Sequence, residues 1–286
     1  MARRVSFGRT ESVTRRANPP RVSTRAIFVN SALAFASAEL ATAALHEAGH
    51  GLAAQCFGFS PHIYAFYENN PTGDARETLT ILAAGPISSL VLGALFWVWY
   101  RRLKPRYGYG RLLLLWLALI GVMEFVNYLI VTPWLADGDT AQIADLLRWP
   151  LGARYGLTAL GAALLVVLAR PAADAMLALA PRSIALDSPR ARRRFITASL
   201  YLPLLAGVAL TALAGIGSRA IYVGYGLLGT FGNLDIVAAA LSANGVPPTD
   251  AERGADAPLR IEPVAIALYA ALVCLYVCAF SRGVPI

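Results

Sequence analysis

Residues 31–50 read SALAFASAELATAALHEAGH, a run of small and aliphatic residues broken by one acid, Glu39, and closed by His46-Glu47-Ala48-Gly49-His50. Apolar character extends over about 27–55, and ~20 residues at 1.5 Å each suffice to cross a bilayer core. The stretch therefore reads as a transmembrane helix with a polar constellation near its end. Two histidines and a glutamate are costly there unless they serve a function. On a helix His46 and His50 project from one face, a single turn apart.

Five more apolar segments follow, at about 78–100, 111–135, 153–180, 195–216 and 261–280. Only 15% of the 286 residues are charged, against about a quarter in soluble domains. The expected fold class is all-α: a polytopic transmembrane helix bundle of about six spans, with a short strand or hairpin between spans 1 and 2. That strand is read from the alternation of Ile63, Ala65 and Tyr67 with Tyr64, Phe66 and Glu68. The Gly-rich stretch 219–243 is left open as re-entrant, interfacial or a seventh span.

Three regions are expected. Residues 1–25 form a flexible basic tail, 26–148 a metalloprotease-like transmembrane core, and 149–286 additional transmembrane helices without a motif. The net charge is +8, but the basic residues sit in short clusters flanking apolar segments, as membrane orientation requires. No basic face interleaved with aromatics is present, so nucleic acid is excluded as a partner. The seven arginines of the tail, Arg101, Arg102, Lys104 and Arg106, and Arg190, Arg192, Arg193 and Arg194 define one side. Acids such as Asp74, Asp137 and Asp250 mark the intervening loops. An integral multi-pass protein, of a bacterial plasma membrane, with its N terminus cytoplasmic satisfies this pattern. Three cysteines make no disulfide framework. Cys274 and Cys278, one turn apart, read as packing residues.

The chemistry of His-Glu-x-x-His is that of a metal site. Two imidazoles at i and i+4 reach one Zn²⁺, and the adjacent Glu47 is placed as general base. Zn²⁺ is the expected cofactor. A third protein ligand is needed. The sole other histidine is His62, and the acids Asp137 and Asp139 follow the third apolar segment. Asp139 or Thr140 could instead cap a helix beginning near Ala141. Glu39, two turns before His46, reads equally as a carboxylate orienting a ligand imidazole or as an inter-helix tether. Glu124 and Asn127 share a face in the third segment.

With these residues in view, the sequence resembles the site-2 protease family of intramembrane zinc metalloproteases. The resemblance is carried by His46-Glu47-Ala48-Gly49-His50, by Ala84-Gly85-Pro86 with Ser88, Ser89 and Gly93, and by Asn127, Pro133, Asp137, Gly138 and Asp139. It covers about residues 40–145. It implies His46 and His50 as zinc ligands, Glu47 as the group activating water, and a third-helix aspartate completing the site. It also implies a membrane-associated peptide substrate, unwound at an edge strand such as 62–68. Asp139, with aliphatic Ile143 four residues on, fits the family pattern better than Asp137; Asn127 is a polar positioner. Ser89 stands where the family has Asn, and Pro133 follows Asn127 at a wider spacing than usual. The family commonly places its site towards the cytoplasm, whereas charge places this one on the outer side. Other readings are a non-proteolytic zinc-binding scaffold that keeps the fold, or a transporter. Oligomeric state is not encoded in any motif.

Overall fold

The computed structural model describes residues 24–69, 73–103, 108–182, 184–216, 229–243 and 260–286, with 224, 227, 245, 246 and 249. The basic tail, apart from its last two residues, and the Asp250–Asp256 acidic loop lie outside these. Helix α1 spans Thr24–Cys56, α2 Ala75–Arg102, α3 Tyr109–Val131, α4 Asp139–Leu146 and α5 Leu151–Leu177. Then come α6, Pro189–Ala214, α7, Leu234–Ala243, and α8, Pro263–Phe280. Six of these, α1, α2, α3, α5, α6 and α8, are long and apolar enough to cross a membrane. Helix α7 has ten residues, about half the length a span needs; the rest of 219–243 is described only in part.

Burial follows a lipid-facing rather than a water-facing logic. Val166 and Val167 on α5, Leu95 and Trp99 on α2, and Val264 on α8 are exposed. Glu39, His46, His50, Ser89 and Asn233 are buried. A soluble monomer seldom leaves such contiguous apolar faces open. In a bilayer the polar groups must find partners inside the bundle.

Helix α1 is the central element and packs against α2, α3, α6 and α8. Helix α2 begins with a capping box, Asp74 accepting from the backbone of Arg76 and Glu77 while Glu77 returns a bond to Asp74. It contains Pro86 in its interior. Without an N–H, Pro86 cannot bond the Leu82 carbonyl four residues before it, yet the helix runs on through it. One face of α2 lies almost in backbone contact with α3. A β-carbon at Gly93 would stand 2.6 Å from the Val122 nitrogen, and one at Gly121 would stand 2.8 Å from the Ser89 carbonyl. Only glycine permits that approach.

Strands β1, His62–Tyr64, and β2, Tyr67–Asn69, pair antiparallel with Tyr64 opposite Tyr67. The chain thus reverses at Ala65-Phe66, where Phe66 has φ 77°. In sequence the hairpin follows α1 and precedes α2. In space it lies against α1 and the C-terminal segment rather than filling a gap between the two spans. A third strand, β3, Val284–Pro285, pairs with β1 on its other side, giving the order β2-β1-β3. Of the two expected forms, short strand or hairpin, the chain adopts the hairpin, and within 62–68 β1 is the central strand and not an edge. Tyr64 and Tyr67, paired across the two-residue turn, share one face and stack with ring centroids 4.6 Å apart, so the turn interrupts the period of two that the sequence carries through it. Strand β1 is central because residues more than 200 positions away cover its edge.

Replacing Gly93 by Val should cost about 1–3 kcal/mol through overpacking against the α3 backbone. Reversible unfolding in detergent micelles checks this; undiminished stability would mean that the α2–α3 contact is looser than described.

Candidate metal centre

Three ring and carboxylate atoms converge at the end of this three-helix contact. His46 Nε2 and His50 Nε2 are 3.0 Å apart. Asp139 Oδ2 is 3.2 Å from the first and 3.3 Å from the second. These residues form a group that could hold a metal ion. Donors held tetrahedrally at ~2.0–2.1 Å from an ion stand about 3.3 Å from one another, so the observed triangle has the size of one face of such a site. The space it encloses depends on Gly85, where a β-carbon would fall on His50 Nε2.

The outer nitrogens explain why the inner ones point together. His50 Nδ1 lies 2.7 Å from the Ile81 carbonyl, which can only accept, so Nδ1 carries the hydrogen. His46 Nδ1 faces Ser89 Oγ at 3.1 Å and Glu124 Oε1 at 3.3 Å. Ser89 gives its own hydrogen to Glu124 Oε2 at 2.9 Å, so both neighbours accept from Nδ1. This assignment of hydrogens follows from the partners. In both neutral rings Nε2 then presents a bare lone pair, and the two lone pairs confront each other and a carboxylate oxygen. A single cation at their centre satisfies all three, with the outer bonds fixing ring orientation as carboxylate partners of ligand histidines do.

Asp139 reaches the cluster from α4, outside the spans. Its helix is capped by Gly138 without a side-chain bond, so neither Asp139 nor Thr140 serves as the cap. Thr140 Oγ1 instead donates to the Tyr128 carbonyl at 2.7 Å and lies 2.8 Å from Thr132 Oγ1, pinning the start of α4 to the end of α3. Asp137 is exposed and is not a member of the cluster.

The remaining expected residues are distributed as follows. Glu47 is half-buried and adjoins His46 in α1. Glu39 accepts from Thr230 Oγ1 and Asn233 Nδ2, each at 3.0 Å. Of its two readings, tether or ligand orienter, the geometry is that of the tether. Asn127 packs against Gly232, and among the described residues no recorded hydrogen bond joins it to the cluster. His62 is exposed on β1. Cys274 and Cys278 are exposed free thiols.

Sequence reasoning did not assign the roles of Ser89 and Glu124 at His46, nor those of Ile81 and Tyr128. The Tyr128 ring stacks on His46, centroids 5.3 Å apart and planes within 9°, with its hydroxyl 3.4 Å from His46 Nε2. The available signal was the i, i+4 spacing of Glu124 and Tyr128, which turns both to one face. Comparison with family models, curated proteins and solved structures finds no match to this chain.

In titrations of purified protein with Zn²⁺ or Co²⁺, Asp139→Ala should abolish tight binding and Asp137→Ala should leave it unchanged. Glu124→Gln should weaken it about 10–100-fold. Equal affinities for the two aspartate variants would remove Asp139 from the site.

Proposed function

We propose that the chain is an intramembrane zinc metalloprotease of the site-2 type, which hydrolyses peptide bonds of membrane-associated protein substrates. The observation that carries this reading is the convergence of His46 Nε2, His50 Nε2 and an Asp139 oxygen on one point within a membrane-type bundle, with Glu47 next to His46 in the chain. Two nitrogens and one oxygen in a tetrahedral-sized triangle suit Zn²⁺. His46 and His50 would hold it through Nε2 and Asp139 through its carboxylate. Three protein ligands leave one position open, the arrangement of catalytic rather than structural sites. When bound, the ion supplies a Lewis acid that makes water nucleophilic at neutral pH.

The chain's own groups supply the rest. Glu47 accepts the proton of the attacking water and returns it to the leaving amine nitrogen. Ser89 and Glu124 hold the His46 ring in register, and the Ile81 carbonyl holds that of His50. The Thr132–Thr140 clamp keeps Asp139 at the mouth of α3. Each outer contact comes from a different element than the ligand it orients, so loss of helix packing is loss of the site.

The charge pattern supports a cytoplasmic N terminus. His46 lies 21 residues along α1 from Arg25, ~30 Å at helical rise. The cluster then sits towards the outer side, reversed relative to the family's common arrangement, in a plasma membrane.

Purified protein should contain about one zinc per chain. Glu47→Gln should retain that zinc and lose cleavage of a membrane-spanning reporter peptide by roughly a hundredfold or more. Zinc at full occupancy with no Glu47-dependent cleavage by the unmutated protein would sink the protease reading and leave a zinc-binding scaffold.

A further inference from the structure

We propose that Tyr128 is a catalytic residue of this hydrolysis, its hydroxyl donating a hydrogen bond to the scissile carbonyl oxygen as that oxygen becomes negative. The inference rests on the protease reading above and adds a group that neither the metal motif nor the resemblance contains.

The position of Tyr128 is fixed on three sides. Its ring lies against the His46 ring, the planes only 9° apart. Its carbonyl accepts from both Thr132 Oγ1 and Thr140 Oγ1, each at 2.7 Å. The hydroxyl lies 3.4 Å from His46 Nε2 and hydrogen-bonds the Asp139 carboxylate. Both of those residues belong to the donor triangle, so the phenol oxygen lies at the edge of the proposed reaction centre.

At 3.4 Å the contact with Nε2 is long for an O–H donor, so the Asp139 carboxylate is the resting partner of the hydroxyl hydrogen. A carboxylate committed to a cation accepts more weakly, and a substrate oxygen arriving beside it takes over the hydrogen bond as its charge grows. Attack of water oxygen on the carbonyl carbon forms the new C–O bond and moves the π pair onto the carbonyl oxygen. Collapse of that tetrahedral species re-forms the C=O bond and breaks C–N, the amine leaving with the proton carried by Glu47. Tyr128 keeps its own proton throughout and contributes only a hydrogen bond, which strengthens as charge develops. The donor and the proton carrier come from different helices, Tyr128 from α3 and Glu47 from α1. They can therefore serve the oxygen and the nitrogen of one amide without competing.

The test is Tyr128→Phe, which keeps the stacked ring and removes one oxygen. Metal content, kcat, KM and calorimetric affinities for two ligands are compared with the unmutated protein. The ligands are a phosphonamidate peptide, which mimics the tetrahedral species, and the uncleaved product peptide. The expected result is unchanged zinc, little change in KM and a kcat lower by about 10²–10³. Phosphonamidate affinity should fall by a comparable factor, with product affinity preserved. An unchanged kcat overturns the proposal. So does equal weakening of both ligands, which would make Tyr128 a ground-state contact, or loss of zinc, which would make it a metal ligand. If the unmutated protein binds zinc but cleaves nothing, the protease reading itself fails, and this role falls with it.

Discussion

The close approach of α2 to both α1 and α3 is the constraint on which the rest of the molecule depends. Gly93 and Gly121 let the backbones of α2 and α3 nearly touch, and Gly85 leaves room beside the rings of His46 and His50. A β-carbon at Gly85, Gly93 and Gly121 would fall 2.2, 2.6 and 2.8 Å from atoms of a neighbouring helix, closer than packed atoms stand. Ser89, one turn before Gly93 on α2, reaches His46 on α1 and Glu124 on α3 together because the three helices meet there. Small residues at the seam thus convert apolar packing into polar geometry, and a bilayer, offering no water, allows no substitute for those polar contacts.

The contacts around His46, His50 and Asp139 have a common design. Each inner nitrogen is defined by what its outer nitrogen touches: a backbone carbonyl for His50, and a serine–carboxylate pair for His46. The third member, Asp139, is positioned by its neighbour Thr140, whose hydroxyl donates to the Tyr128 carbonyl at the end of α3. Orientation is therefore supplied by α2 and α3, while the motif itself lies on α1. A helix carrying the motif alone would have two freely rotating imidazoles. Preorganisation comes from the bundle.

Polar residues away from the cluster are used as bundle connectors. Glu39 binds Thr230 and Asn233, nearly two hundred positions distant. Asn30 bonds the backbone at Arg260 and Glu262, and Tyr276 donates to the Leu40 carbonyl at 2.6 Å. All three join α1 to the C-terminal half, whose own sequence contains no motif. That half is thereby tied to the helix that carries His46 and His50, and its strand β3 completes the small sheet beside it.

Local sequence alone determined the spans and the heart of the site. Apolar runs of twenty or more residues fix membrane helices because length and hydropathy are properties of the chain itself. His46 and His50 share a face because four residues make about one turn. Which partners those atoms meet is not a local property. The tether reading of Glu39, the separation of Asp139 from Asp137, the choice of Glu124 and Tyr128 over Asn127, and the hairpin hidden in the 62–68 alternation were decided only in three dimensions. Each turns on a residue from another helix or strand arriving at hydrogen-bond distance. The sequence encodes those arrivals only through small residues such as Gly85, Gly93 and Gly121, whose effect is to let other chain segments come close.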